Sequence, residues 1–153
     1  MQNIDEKVLE QIVRKIIEEK LGNVAQCKKE DFVKNVDPSG IMSIVLDTVK
    51  PEKFDTGSPS EEVYLKDVVS LEESPRLGCG VMEMKESTFK WTLKYDEINY
   101  VIDGTLEIDI DGRRVVGNKG DMILIPKDSS ITFTVPTSAR WMYVCYPANW
   151  ADQ

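Results

Sequence analysis

Short runs of β-forming residues, separated by turn signals, fill the sequence from residue 63 to its C-terminal end. Asp-Gly pairs stand between alternating apolar residues at 103–104 and 111–112, and further turn signals lie at 117–120 and 126–128. An Asp-Gly pair in this setting indicates a hairpin, because both turn positions require a positive φ. The predicted strands are 63–69, 77–84, 89–93, 97–102, 105–110, 113–116, 121–125, 131–135 and 140–146. This pattern predicts a mainly β fold, an antiparallel sandwich or barrel, and a jelly roll is the closed form that fits best.

The N-terminal part of the sequence has a different pattern. Residues 4–21 carry apolar side chains at spacings of three and four, which predicts an amphipathic α-helix that ends near Gly22. Scattered Pro and Gly residues then predict a linker with one lead-in strand at 41–46. The expected division is a helical segment 1–22, a linker with its strand 23–60, and a β-barrel domain 61–153. The helix could pack on its own barrel or on a dimer mate, or it could dock to another protein.

The composition limits the partners that the chain can have. Its 153 residues match one domain, and a net charge of −8 disfavours binding to nucleic-acid phosphates or to acidic lipid. No apolar run approaches the roughly 18 residues of a membrane span, and the N-terminal residues lack the apolar block that a secretory signal requires, so we expect no such signal. Cys27, Cys79 and Cys145 are too few and too far apart for a disulfide framework or a cysteine zinc site. We therefore expect a cytoplasmic protein that binds neither nucleic acid nor membrane.

Two polar side chains fall on a strand face that otherwise looks apolar. Alternate residues of a strand share a face, which would place Glu97 and Asn99 beside Trp91, Leu93, Tyr95 and Val101. A buried carboxylate must be paired, protonated or bound to a ligand. The pattern leaves two alternatives open: a glutamate that bonds to a neighbour for structural reasons, or one that contacts a ligand in a cavity.

The spacing of acid, glycine and proline residues resembles the cupin superfamily. Glu97, six residues and Gly104 match the end of the first cupin motif, and Gly120, five residues and Pro126 match the start of the second. The chain has no histidine, and the histidine positions of the motifs fall on Trp91 and Leu93, or on Lys90 and Thr92, and on Ile131. A transition metal requires three or more imidazole, thiolate or carboxylate ligands. The resemblance implies a cupin jelly-roll barrel, and the missing donors predict no metal-ligating residues and no tightly bound transition metal.

Longer strings resemble one branch of that superfamily, the EutQ family of bacterial ethanolamine-utilisation proteins. They are W-T-L-K-Y-D-E-I at 91–98, I-P-K-D-S-S-I at 125–131 and P-A-N-W at 147–150, and the resemblance covers about residues 40–151. It implies a role in the ethanolamine microcompartment, a protein-shelled organelle, and an acetate kinase activity that converts acetate and ATP, with Mg²⁺, into acetyl phosphate and ADP. It also implies that residues 1–22 dock to shell or cargo proteins.

The residues themselves offer few kinase signals, because the sequence has neither a G-x-x-x-x-G-K-[ST] phosphate loop nor a protein-kinase signature. Magnesium needs only one or two protein carboxylates when the nucleotide supplies the other ligands, so Glu97 is the expected catalytic carboxylate. Lys90, Lys94, Lys127 and Arg140 are candidate positive charges, and Lys127, inside a matching string, is the expected catalytic lysine. The expected substrate-binding residues are Glu83, Thr92, Tyr95, Asn99 and Tyr143.

Two other hypotheses are compatible with the same sequence. The cavity could bind a metabolite without catalysis, or the chain could be an assembly protein that keeps the cupin fold without its metal. A homodimer is also expected, because cupins commonly pair through edge strands and the strand at 41–46 would benefit from cover.

Overall fold

The computed structural model describes residues 31–152. The predicted helix 4–21, the docking segment 1–22 and Cys27 lie outside the described residues. Within 31–152 the chain is mainly β, as the sequence predicts, and every strand pair is antiparallel. No helix of this described part is long and apolar enough to cross a membrane.

Residues 31–152 form nine strands and two short 3-10 helices. The strands are β1 Lys34–Val36, β2 Met42–Ile44, β3 Glu52–Lys53, β4 Glu62–Asp67, β5 Gly78–Thr92, β6 Asp96–Ile110, β7 Arg113–Asn118, β8 Met122–Ile125 and β9 Ser130–Tyr146, and the turns are Leu46–Thr48 and Trp150–Asp152. The main sheet has the order β3-β4-β5-β9-β6-β7, and β8 pairs with the first part of β6. β1 and β2 form a separate two-stranded sheet, so the strand predicted at 41–46 pairs with β1.

Three strands are longer than the sequence pattern predicts. β5 joins the predicted strands 77–84 and 89–93, β6 joins 97–102 and 105–110, and β9 joins 131–135 and 140–146. The hairpin predicted at Asp103-Gly104 is wrong, because the register shifts there and β6 continues. Gly104 has a φ of 77°, and a Cβ at this position would collide with the backbone of Ser138. A β-bulge thus uses the same glycine conformation that a tight turn requires.

The hairpin predicted at Asp111-Gly112 is confirmed. It connects β6 to β7 and brings Ile110 opposite Arg113. Both turn residues have the positive φ that a two-residue hairpin requires, 49° at Asp111 and 75° at Gly112.

Alternating side chains of β5, β6 and β9 point into one apolar core. Its largest fully buried members are Trp141, Tyr143, Met84, Leu93 and Leu106. The predicted inward face is largely confirmed: Leu93, Tyr95, Glu97, Asn99 and Val101 are all buried, and Trp91 is half-buried. The chain turns between Thr92 and Asp96, so this face is shared by two strands and their connection.

The outer face of the main sheet has a covered half and an uncovered half. Over β4 and β5, a second apolar cluster forms from Val49, Val68 and Val81, with Phe32 and Ile44 packed against it. On β6, β8 and β9 the outward apolar side chains have no such cover from the described residues; they are Ile98, Tyr100, Met122, Leu124 and Tyr146. The lead-in segment therefore packs on one half of the sheet only.

Candidate functional site

A small hollow inside the sheet, which we call the inner cavity, contains the buried acid. It is lined by Phe54, Leu65, Met82, Phe89, Trp91, Tyr95, Glu97, Phe133, Tyr143 and Trp150. The volume open to a water molecule is about 20 Å³, which is enough for one. Phe54, Trp91 and Trp150 are only half-buried and form the rim of this cavity.

Glu97 is the carboxyl group of the inner cavity and is only 5% exposed. One carboxyl oxygen accepts a hydrogen bond from Asn99 Nδ2 at 3.0 Å, and the other has no hydrogen-bond partner among residues 31–152. No lysine or arginine of this part of the chain lines the cavity. Burial raises the pKa of Glu97 to about 7 because the charged form loses its hydration, and the Asn99 bond offsets this only in part.

Two hydrogen-bonded groups support the cavity wall. The Tyr143 hydroxyl and Trp150 Nε1 both donate to Oδ1 of Asp67 at the end of β4. Trp91 Nε1 donates to the Tyr95 hydroxyl at 2.9 Å. Burial is the largest cause that raises the pKa of both tyrosines above the usual value, so both phenols are neutral at ordinary pH.

The rim is built from aromatic rings that meet edge to face. The ring centroids of Phe54 and Trp91 are 5.8 Å apart, and those of Trp91 and Trp150 are 6.4 Å apart. Tyr95 also lies 6.4 Å from Trp150. These separations are in the range of favourable aromatic pairs, so the rings hold one another around the opening.

A second, larger hollow lies on the outside, against the end of β5, the β6–β7 turn and the start of β9; we call it the outer groove. It has a volume of about 370 Å³ and is lined by Lys90, Trp91, Thr92, Asp109, Ile110, Asp111, Gly112, Ser130, Ile131 and Thr132. Trp91 therefore lines both hollows. The Thr92 and Ser130 hydroxyl oxygens lie 3.1 Å apart in the groove wall.

The acids of the outer groove have cationic partners, unlike Glu97. Arg114 binds Asp109 through two hydrogen bonds of 2.6 and 2.9 Å, and Thr134 donates a third at 2.9 Å. The hydrogen bonds from Arg114 and Thr134 hold the pKa of Asp109 below its usual value. Asp111 forms an exposed pair with Arg113 at 3.3 Å.

Four of the seven predicted site residues converge on the inner cavity. Tyr95, Glu97 and Tyr143 line it, and Asn99 lies directly behind Glu97. Thr92 is exposed and belongs to the outer groove. The structure thus brings four of the predicted residues together, while their roles in catalysis and substrate binding stay predictions.

Lys127 and Glu83 lie away from the inner cavity. Lys127 is exposed in the turn after β8, where its backbone N–H donates to Asp96 Oδ1 at 2.8 Å. The expected inward position of Glu83 needs correction, because Met82 and Met84 take the core face of β5 and turn Glu83 outward. There Glu83 forms an ion pair with Arg140. The charge of Arg140, which was a candidate positive charge for the site, is therefore balanced by Glu83.

Among the residues that the sequence did not predict are Phe54 and Trp150 at the rim of the cavity, and Asp67, which accepts hydrogen bonds from Tyr143 and Trp150 behind its wall. Trp150 belongs to the P-A-N-W string that carries the family resemblance, and Asp67 ends a strand of alternating residues, so both had a weak signal. Phe54 had none, because it stands in a stretch without periodicity. Cys145 is buried near Glu97, and burial raises the pKa of its thiol to about 12.

The side chains at the cupin histidine positions do not fit a transition metal. Trp91 lines the cavity, and Leu93 and Ile131 are buried in the apolar core. Among residues 31–152, no three His, Cys, Asp or Glu side chains lie close enough together to hold one metal ion.

The sequence matches the family model of ethanolamine utilisation protein EutQ over residues 4–152. It is 59% identical over 154 residues to Acetate kinase EutQ of Clostridioides difficile (strain 630), covering 99% of this chain and 97% of that protein. Acetate kinase EutQ of Salmonella typhimurium (strain LT2) is 34% identical over 95% of this chain, which spans 63% of that longer protein.

Solved structures agree with this relationship. The Clostridium difficile EutQ protein aligns with a TM-score of 0.80 and 62% identity, over 82% of this chain and 93% of that one. A cupin superfamily protein from Desulfitobacterium hafniense DCB-2 aligns with a TM-score of 0.53 at 9% identity, over 67% of this chain and 86% of that one. The second likeness concerns the fold alone, and the predicted cupin fold is confirmed.

Proposed function

The chain belongs to the ethanolamine utilisation protein EutQ family, and on this premise we propose that it is an acetate kinase. In this reaction a carboxylate oxygen of acetate attacks the γ-phosphorus of ATP, the bond to the bridging oxygen breaks, and acetyl phosphate and ADP form. The observation that carries the proposal is the 59% identity, over 97% of its length, to a relative named Acetate kinase EutQ. The family assigns the chain to ethanolamine utilisation.

The outer groove suits a magnesium nucleotide better than the inner cavity does. Its volume of about 370 Å³ lies within the usual range of ligand sites, roughly 300–1,000 Å³. The inner cavity, at about 20 Å³, is too small for a phosphate group. Lys90 supplies a positive charge in the groove, and Asp111 supplies an exposed carboxylate for a nucleotide-bound Mg²⁺. Phosphoryl transfer needs mainly such positioning and charge, with little covalent work by the protein.

The groove also offers groups that would orient the two substrates. The ring of Trp91 provides a surface on which a purine base can stack. The hydroxyls of Thr92, Ser130 and Thr132 can donate to the acetate carboxylate and place it beside the γ-phosphate. Holding both substrates in this way is the main contribution that a protein can make to the reaction.

The sequence-based alternative places catalysis at Glu97 and Lys127. A carboxyl inside an apolar cavity would add negative charge next to a polyphosphate, and Lys127 lines neither hollow. Both arrangements can be tested by the same set of variants, because the groove uses Lys90 and the alternative uses Lys127.

A coupled assay of ADP release from ATP with acetate tests the proposal. We expect Lys90→Met to lower kcat/KM for ATP at least tenfold and the matched Lys127→Met to leave it unchanged. A loss confined to Lys127→Met and Glu97→Gln would move the site to the alternative arrangement. Equal activity in all three variants and the wild type would indicate a contaminating kinase and overturn the proposal.

We also propose that residues 1–22 dock this cytoplasmic protein to shell or cargo proteins of the ethanolamine microcompartment. The amphipathic pattern of residues 4–21 supports this. A fluorescent fusion that lacks residues 1–22 should stay diffuse in cells that form compartments, while the full-length fusion forms foci. Identical foci for both fusions would contradict the docking role.

A homodimer through the uncovered outer face completes the proposed assembly. Met122 and Leu124 of β8 expose 66% and 62% of their surface, beside the exposed Ile98 and Tyr100 of β6. Apolar patches of this kind mark interaction surfaces, and a second copy would cover both faces at once. We expect a dimer mass by light scattering and a monomer for Leu124→Lys; a wild-type monomer would contradict the dimer.

A further inference from the structure

The inner cavity offers hydrogen-bond acceptors, and nearly all of its donors are already used. The pairs are Trp91 Nε1 with the Tyr95 hydroxyl, Asn99 Nδ2 with Glu97, and the Tyr143 hydroxyl and Trp150 Nε1 with Asp67. The second oxygen of Glu97 has no donor among residues 31–152. The hydroxyl hydrogen of Tyr95 is the remaining donor of the described wall. This oxygen of Glu97 belongs to a residue that lines the cavity, so a ligand or a water in the cavity can supply the missing donor.

The charge of the cavity points the same way. Glu97 is more than nine-tenths buried, and no lysine or arginine among the described residues lines the space beside it. A carboxyl in such a place must take up a proton or a positively charged partner. An anion placed here would face the Glu97 carboxyl, whereas a cation would complete an ion pair.

The rim adds a second attraction for a cation. Phe54, Trp91 and Trp150 surround the opening, with ring centroids 5.8 to 6.4 Å apart. Aromatic faces carry negative electrostatic potential, and several rings around a carboxylate are a common way to bind ammonium groups.

The size of the cavity selects among cations. About 20 Å³ admits a group the size of a water molecule, which an –NH₃⁺ head matches and a trimethylammonium head exceeds. A short alkyl chain attached to that head would leave between the half-buried rim residues. The three N–H donors of a primary ammonium suit the free Glu97 oxygen and the faces of the rings.

We propose that the inner cavity binds the –NH₃⁺ head of a small primary alkylammonium ligand, with Glu97 as counter-ion and Phe54, Trp91 and Trp150 around the opening. This role goes beyond the proposed kinase activity, which uses the outer groove. Either can fail while the other holds, because binding and phosphoryl transfer are measured separately.

Isothermal titration of the full chain, in a buffer free of primary amines, tests this binding. With ethylammonium chloride at pH 8, we expect saturable binding of one ligand per chain. Ethanolamine hydrochloride is a second probe, whose hydroxyl can accept from Tyr95. Potassium chloride, tetramethylammonium chloride and sodium acetate should each bind at least tenfold more weakly, because they lack the N–H donors, the small head or the positive charge.

Variants separate the ion pair from the rings. Glu97→Gln keeps the size of the side chain and its bond from Asn99, and should weaken ethylammonium binding at least tenfold. Phe54→Leu keeps an apolar rim without the ring and should weaken it severalfold. Glu72→Gln, on an exposed loop, is the matched control and should bind like the wild type. Circular dichroism and thermal unfolding of each variant show whether the fold is intact.

The pH dependence of binding gives an independent readout. The titratable groups that face Glu97 are Tyr95 from the β5–β6 connection, Tyr143 and Cys145 from β9, and Asp67 of β4 behind the Tyr143 hydroxyl. The pKa values of the tyrosines and of Cys145 are raised, so these three groups stay neutral between pH 6 and pH 8. Affinity should therefore fall about tenfold from pH 8 to pH 6, as Glu97 takes up a proton, and Glu97→Gln should lose this dependence.

Three outcomes would overturn the proposal. The first is equal affinity of the wild type and Glu97→Gln for ethylammonium. The second is tighter binding of acetate than of ethylammonium. The third is no heat and no change in tryptophan fluorescence with either amine, which would leave a single water in the cavity.

Discussion

The inner cavity and the outer groove share Trp91, yet they surround an acid in opposite ways. In the cavity, Glu97 lies among aromatic rings without a cation, and its pKa rises to about 7. In the groove, Arg114 and Thr134 bind Asp109, and its pKa falls below the usual value. Both acids belong to β6, so the face of the strand decides the environment rather than the strand itself. One strand can thus present a proton-binding carboxyl inside and a salt-bridged carboxylate outside.

Replacing Glu97 by Gln should produce the largest effect on this contrast. Relative to an ordinary pKa of 4.5, the folded chain holds the Glu97 proton up to about pH 7, so the free energy of unfolding falls as pH rises across that window. The rise of the Glu97 pKa from 4.5 to about 7 corresponds to a change of about 3 kcal/mol in the free energy of unfolding. The variant should therefore gain stability relative to the wild type between about pH 4.5 and pH 7. Denaturant unfolding at a series of pH values measures this difference.

A parallel pH dependence of the wild type and Glu97→Gln would mean that the Glu97 carboxyl has an ordinary pKa and is hydrated or paired. Bound alkylammonium is expected to reduce the difference, because a cation beside Glu97 favours its charged form. The same experiment with added ethylammonium chloride therefore links stability to occupancy of the cavity.

Glycine substitutions should distinguish the packing of the two hollows. At Gly80, on β5, a Cβ would collide with the Tyr143 ring, and we expect Gly80→Ala to cost about 2 kcal/mol of stability through overpacking. At Gly112 in the groove no atom lies within 4 Å of the added Cβ, and only the φ of 75° opposes Ala, at about 1 kcal/mol. Thermal unfolding of both variants measures whether Gly80→Ala loses more stability than Gly112→Ala.

An equal loss of stability in Gly80→Ala and Gly112→Ala would show that the Tyr143 ring beside Gly80 can move to make room for a methyl group. In that case Tyr143 could move away from Asp67, and the small cavity volume would not select ligands by size. Ethylammonium titration of Gly80→Ala provides the control, since displacement of Tyr143 should alter binding there but not in Gly112→Ala.

The smallest effect is expected from Asp109→Asn, and its pH dependence should have the opposite sign. The folded-state pKa of Asp109 is lowered, so its contribution is present above the unfolded pKa of 3.8 and is lost as pH falls through the folded value. The variant should be less stable than the wild type at neutral pH and should approach it in acid. Denaturant unfolding at acidic and neutral pH measures this; an unchanged difference would mean that Arg114 and Thr134 do not stabilise the carboxylate.

Much of the fold follows from local pattern, but strand length does not. Alternation predicted the buried face that contains Glu97 and Asn99, and the Asp111-Gly112 hairpin is where the sequence places it. The Asp103-Gly104 hairpin failed because a bulge and a turn require the same glycine conformation, and only pairing with β9 distinguishes them. The predicted inward position of Glu83 was wrong for a related reason. Alternation divides the residues of a strand between two faces, but it does not say which face is buried.

By itself, the sequence determined the β pattern, the buried carboxyl at Glu97 and the membership in a family, because these depend on neighbouring residues and on matching strings. Only the tertiary structure decided that Phe54 and Trp150 close a rim over Glu97, that Lys127 lies elsewhere, and that Trp91 separates two hollows of unequal size. These features join residues far apart in the chain. Their positions follow from sheet register and close packing, which no local pattern specifies.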